Sequence, residues 1–174
     1  MMLVLCDRLG ELYPDTLSLG FEIRDKVGEY VRERIKTLRS ETEKGFRNVA
    51  CIRANCQKDL PHYFKKHQLK KIFFLFPDPH FKASNHRRRI ISTTLLDEYA
   101  YFLGRGGTLY TITDVEELGD WMKDHLDRHP LFERISDEEL ENDPAAKFLP
   151  SASEEAQKVA RNCGKTFRAV YRRL

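Results

Sequence analysis

The chain has 174 residues, 41% of them hydrophobic and 33% charged, which is enough for one globular core and leaves little room for a second. Its longest apolar run, residues 72–77, is far short of the roughly 20 residues that cross a bilayer, and the stretch from Met1 to Cys6 is too brief for a secretory signal, so a soluble intracellular protein without a membrane anchor is expected. The formal net charge is only +3, so total charge identifies no partner.

In chain order, residues 16–23 are apolar and β-prone. Val27, Tyr30, Val31, Ile35 and Leu38 then recur at helical spacing, and residues 48–52 read as another strand. A strand at residues 71–76 follows, then a helix carrying Leu95, Leu96, Tyr99 and Phe102, a strand at 108–113, and a helix with Leu118, Trp121, Met122 and Leu126. This alternation predicts an α/β fold with a mostly parallel sheet. Residues 131–135 and 166–172 read as two further strands, separated by the polar stretch 136–164; with no long helix expected between them, they predict an antiparallel, hairpin-like edge. The acidic run 137–143 and a loop at 151–155 leading into a helix are surface candidates, and no internal repeat is present.

The cations are unevenly placed. Lys82, His86, Arg87, Arg88 and Arg89 crowd into one short stretch, and Arg168, Arg172 and Arg173 add to a basic C-terminus. Such clustering suits phosphate contacts, or simply a solvated charged surface. The four cysteines, Cys6, Cys51, Cys56 and Cys163, have neither C-x-x-C spacing nor a zinc-type His/Cys cluster, so no metal and no disulfide framework is expected, and reduced thiols fit best.

In an open parallel α/β sheet, ligands bind beyond the carboxyl ends of the strands. That selects Glu22, Asn55, Asp78 and Asp114. Glu22 can accept hydrogen bonds from both ribose hydroxyls, or pair on the surface with Arg24 or Lys26. Asn55 can meet an adenine edge through donor and acceptor together, or serve as a plain turn asparagine. Asp78 lies between Pro77 and Pro79 at the end of the apolar strand, and the fixed φ of each proline holds it on a stiff backbone. A carboxylate held there can accept hydrogen bonds from N1–H and the exocyclic amine of guanine, leaving N7 toward a methyl donor; the alternative is a turn or helix cap. N7 reacts through a ring lone pair, so positioning and stabilisation of the positive product outweigh base catalysis.

Five motifs occur in order: Gly20-Phe21-Glu22-Ile23-Arg24, Arg53-Ala54-Asn55-Cys56, Phe74-Leu75-Phe76-Pro77-Asp78-Pro79-His80-Phe81-Lys82, Thr111-Ile112-Thr113-Asp114, and Ser153-Glu154-Glu155 with Arg161-Asn162. Together they resemble the tRNA (guanine-N7)-methyltransferases from about Tyr13 to the C-terminus, in particular the eukaryotic type whose catalytic subunit works with a WD-repeat partner. The resemblance implies a Rossmann-like S-adenosylmethionine-dependent methyltransferase fold and methyl transfer to guanosine N7 in the variable loop of tRNA. It also implies a heterodimer with the non-catalytic WD-repeat subunit and a nuclear location that can extend to the cytoplasm. By the same resemblance, Glu22 and Arg24 hold the ribose side of S-adenosylmethionine and Asn55 and Cys56 the adenine. Leu75 lines the pocket, Asp78 is the active-site acid, and Lys82 and Asp114 bind substrate, with His86, Arg88 and Arg89 beside them. Ser153 and Glu155 belong to a loop that closes over cofactor and guanine.

Serine at 153 and cysteine at 56 are mild departures from the family's threonine and alanine. A larger one is at the start: the family has a strand and a glycine-rich turn there, whereas this chain opens Met1-Met2-Leu3-Val4-Leu5-Cys6, and its Gly104-Arg105-Gly106 comes too late to serve. The expectation is therefore a single domain over residues 1–174, incomplete at the N-terminus, with weak or no activity and reduced stability. A catalytically impaired chain acting as an RNA-binding or partner-binding module is the competing reading. A nucleotide-dependent dehydrogenase lacks its Gly-x-Gly-x-x-Gly.

Overall fold

The structure is a computed structural model, and residues 3–41, 45–151 and 164–174 are described. Helix α1 (Leu3–Leu12) leads into strand β1 (Ser18–Glu22), helix α2 (Asp25–Glu41), β2 (Val49–Arg53) and α3 (Cys56–Tyr63). Strand β3 (Leu69–Leu75) is followed by a 3-10 turn over Ala83–Arg88, then α4 (Thr93–Phe102), β4 (Leu103–Thr113) and α5 (Glu116–Asp127). The chain closes with β5 (Phe132–Arg134), the short helices α6 (Asp137–Leu140) and α7 (Pro144–Phe148), and β6 (Phe167–Arg173).

Pairing divides the strands into a two-stranded sheet, β1-β2, and a four-stranded sheet in the order β3-β4-β6-β5. The pairs β1·β2 and β3·β4 are parallel, as their intervening helices require. The pairs β4·β6 and β5·β6 are antiparallel, so the expected late antiparallel pair forms, but β6 inserts between β4 and β5 and β5 takes the edge. The long β4 begins at Leu103, well before the apolar run at 108–113, because Gly104, Gly106 and Gly107 carry no side chain to set a period. Gly106 has φ +73°, and a side chain on Gly107 would meet the Gly104 carbonyl at 2.8 Å.

Alternation along the strands separates two cores. Phe74, Leu109 and Tyr171 face a cluster with Leu60 of α3, Leu96 and Tyr99 of α4, and Leu118, Met122 and Leu126 of α5. Tyr110, Ile112 and Val170 face the opposite cluster, with Leu9 of α1, Leu140 of α6, and Ala145 and Ala146 of α7. On the smaller sheet, Val31, Ile35 and Leu38 form the helical stripe of α2 that covers Val49 and Cys51.

Buried hydroxyls find partners, as their desolvation demands. Tyr99 donates to the Ile90 carbonyl (2.9 Å), Tyr171 to Asp127 Oδ1 (2.7 Å) and Tyr110 to Asp143 Oδ2, the residue that also caps α7. No described helix is long and apolar enough to cross a membrane, and no metal-holding group of three or more His, Cys, Asp or Glu occurs among the described residues.

Candidate active site

Glu22, Asn55, Asp78 and Asp114 each lie at or just beyond the carboxyl end of one of the parallel strands β1, β2, β3 and β4. Hydrogen bonds tie those ends into one edge. Gln57, at the start of α3, donates Nε2 to the carbonyls of Arg88 and Arg89, both at 3.0 Å, joining the end of β2 to the turn after β3. Arg89 Nη2 donates to Glu117 Oε1 at 2.7 Å, joining that turn to the start of α5 after β4.

Glu22 is buried, at 8% exposure. Arg24 donates to it from its backbone N–H and Nε (both 3.0 Å to Oε1) and from Nη2 (3.1 Å to Oε2). Burial pushes the Glu22 carboxyl up, but the hydrogen bonds and charge of Arg24 outweigh it, and the pKa ends below the ordinary value. The pairing with Arg24 that the sequence left open is real, yet it holds a buried acid rather than a surface one. A carboxylate has about four acceptor positions, so Oε2, which accepts one bond from Arg24 among the described residues, keeps capacity for a hydroxyl.

Asn55 caps α3: its side-chain oxygen accepts from Gln57 N (3.0 Å), and its own N–H donates to Asp59 Oδ2 (2.7 Å). The turn role is thus present, and the residue stands half-buried beside Cys56. Burial pushes the Cys56 thiol up to about 11, so it is protonated and apolar in character at neutral pH. Leu75 packs on the α1/α7 side of the sheet.

The segment after β3 carries the strongest local signal. Phe76 and His80, flanking Pro77-Asp78-Pro79, both have φ +47°, a left-handed conformation rare for bulky residues. Such strain clusters at functional sites, where surrounding contacts hold it. Asp78 Oδ1 accepts from His80 N at 3.0 Å, yet the side chain remains 73% exposed. Asp78 therefore caps its own turn and still presents a carboxylate to solvent.

The basic run resolves into two groups. Lys82, Arg87 and Arg88 are exposed, as is Asp114. Arg89, expected among the substrate contacts, is 1% exposed and points inward. His86 turns toward the same interior, with Nε2 3.0 Å from Arg89 Nη2 and its ring edge-on to Trp121. The sequence reading gave Gln57 and Glu117 no place and put Trp121 only on a helix, yet these three hold Arg89 and the strand ends together; nothing in a row of basic side chains marks which one folds inward. Ser153 and Glu155, with Arg161 and Asn162, lie outside the described residues.

Comparison with known proteins adds three findings. The family model Methyltransf_4, described as "Putative methyltransferase", matches residues 5–169. A tRNA (guanine-N(7)-)-methyltransferase of Arabidopsis thaliana is 61% identical over 95% of this chain and 66% of its own length, and those of Zea mays and Homo sapiens are 58% and 57% identical over 95% of the chain and 65% and 60% of theirs. The chain thus spans a little under two thirds of the length of these curated relatives. Among solved structures, an rRNA methylase from Streptococcus thermophilus superposes with a TM-score of 0.55 at 13% identity, covering 97% of this chain and 93% of that one. A geranyl diphosphate methyltransferase in complex with GPP and sinefungin gives 0.54 at 11%, covering 97% and 67%. At such identities the likeness establishes the fold, that of the S-adenosylmethionine-dependent methyltransferases.

Proposed function

Since the chain belongs to the Methyltransf_4 methyltransferase family, we propose that it transfers a methyl group from S-adenosylmethionine to N7 of a tRNA guanosine, with Asp78 orienting the base. The observation that carries this reading is the exposed carboxylate on a strained turn at the end of β3, followed at once by a run of cations at the surface. The names of the relatives at 56–61% identity support the substrate.

The residues present fit the nucleoside part of the methyl donor. Buried Glu22 keeps an acceptor position for a ribose hydroxyl, and Asn55 and neutral Cys56 stand at the neighbouring strand end, where an adenine edge would lie. When bound, S-adenosylmethionine supplies an electrophilic methyl, which leaves sulfur as the N7 lone pair forms the new bond. Asp78 accepts from the N1–H and exocyclic amine of guanine and so fixes which ring nitrogen faces the methyl. Its negative charge also favours the cationic ring that develops, with no proton to remove. Lys82 and Arg88 are exposed on the segment after Asp78, and Asp114 is exposed at the end of the neighbouring strand; the two cations meet the RNA backbone and set affinity rather than chemistry.

A WD-repeat partner and a nuclear location with cytoplasmic occurrence belong to the same proposal and rest on the sequence resemblance. The competing reading as a non-catalytic module gains no support from the relatives' names. The test is methyl transfer from labelled S-adenosylmethionine to unmodified tRNA, with and without a WD-repeat partner, comparing the chain with Asp78→Ala. Transfer at guanosine N7 that is lost on substitution is the expected result; no transfer in either arrangement would overturn the reading.

A further inference from the structure

Arg89 is among the largest fully buried side chains in the molecule, although it closes a run of basic residues at the surface. Burying a charge is costly unless it is paired and hydrogen-bonded, so its contacts should be specific, and they are. Nε donates to the Pro79 carbonyl at 2.9 Å, Nη2 donates to Glu117 at 2.7 Å and lies 3.0 Å from His86 Nε2, and the guanidinium sits 4.7 Å from the centre of the Trp121 ring. Its own carbonyl is held by Gln57. Nη1 is buried without a partner among the described residues, a hydrogen-bonding capacity left unused to keep the other contacts.

Pro79 directly follows Asp78, and the next residue, His80, is the left-handed one whose N–H binds the Asp78 carboxylate. The Pro79 carbonyl is therefore the point at which a rigid fork can fix that turn. Lysine, with a single charged nitrogen on a flexible stem, cannot make the same forked contacts. Through Gln57 and Glu117 the same residue also joins the ends of β2 and β4 to this turn.

We propose that Arg89 is a positioning residue that sets the placement of the Asp78 carboxylate through the Pro79 carbonyl, and that it is not a phosphate contact. This rests on the methyltransferase reading for its kinetic readout and on the fold alone for its structural one. A phosphate contact would act on tRNA affinity and its salt dependence; a positioning residue acts on the rate of the bound complex.

The experiment compares wild type with Arg89→Lys, which keeps the charge, and with Glu117→Gln, which removes the counter-charge at an exposed position and leaves Arg89 in place. Single-turnover methyl transfer and tRNA binding are measured together, and the exchange rate of the His80 amide is followed by NMR, with far-UV circular dichroism to check folding. Expected in Arg89→Lys are a rate at least about tenfold lower with tRNA Kd within about twofold, and His80 exchange at least about tenfold faster; Glu117→Gln moves the same way by less. Unchanged rate and His80 exchange in both variants, or a Kd that rises while the rate holds, would overturn the proposal. If wild type transfers no methyl to tRNA, the methyltransferase reading fails separately, and His80 exchange still decides whether Arg89 holds the turn.

Discussion

Asp78 does two things at once: one oxygen ties down His80 N, and most of the side chain faces solvent. Asp78→Asn keeps the oxygen that holds the turn and removes the charge. The single-turnover rate should fall about a hundredfold or more while tRNA affinity stays within about threefold, as expected for loss of a transition-state interaction; equal losses in both would assign Asp78 to binding. Cys56, with its thiol pushed up to about 11, should react slowly with iodoacetamide at neutral pH in the folded chain and at the rate of a free thiol after denaturation. Glu22 gives a pH dependence with a definite sign. Its folded pKa is below the unfolded value, so its contribution to stability is present above about pH 4.3 and is lost as pH falls through the lower, folded value. Thermal melts from neutral pH down to about pH 3 should show an acid loss that is smaller in Arg24→Ala, whose melting temperature at neutral pH is already lowered. Residue types and the alternation of elements were enough to place Glu22, Asn55, Asp78 and Asp114 at the carboxyl ends of the parallel strands, because short apolar runs between helical stripes mark where each strand stops. The inward turn of Arg89 was not legible, since burial of one arginine depends on Trp121 and Glu117, which lie far along the chain on α5.

At the scale of elements, the long periodic segments were the readable ones. Val31, Ile35 and Leu38 mark α2, and Leu118, Met122 and Leu126 mark α5, because a stripe every three to four residues has one folded meaning. Helix α3 escaped: it spans Cys56–Tyr63 with Pro61 inside it, and its start is defined by the Asn55 and Asp59 hydrogen bonds rather than by an apolar stripe. Helices α6 and α7 are likewise too short to show a period, and Ser136 and Asp143 mark them only as caps. The split of the strands into two sheets was not legible either, since strand pairing depends on contacts distant in sequence. Helix α5 lies close against β6, where a side chain at Gly119 would come within 2.8 Å of Phe167 Cβ. Gly119→Ala should therefore destabilise the chain by about 1–3 kcal/mol, the usual range for overpacking, measured as a shift in urea midpoint at constant slope. Gly28, where the nearest atom to an added side chain is the Arg32 guanidinium at 3.4 Å, should tolerate alanine and serve as the comparison.

For the molecule as a whole, the cations Lys82, Arg87 and Arg88 are exposed on the segment that follows Asp78. Replacing all three by glutamine should weaken tRNA binding and flatten its dependence on salt by about two to three in the slope of log K against log salt, about one for each phosphate that is no longer neutralised; an unchanged slope would place the RNA elsewhere. The hydroxyls of Tyr99, Tyr110 and Tyr171, each donated into the interior, have a further consequence in optical spectroscopy. Burial raises all three pKa values, and in Tyr110 and Tyr171 the adjoining Asp143 and Asp127 carboxylates raise them further. Above about pH 10 the unfolded chain releases phenolic protons that the folded chain retains, so stability declines with rising alkalinity. Of the seven tyrosines, these three should stay silent in the near-ultraviolet phenolate band for as long as the chain is folded. They should then ionise together in one steep late rise that coincides with loss of the far-UV signal, so that the absorbance of the phenolate ion counts folded molecules directly.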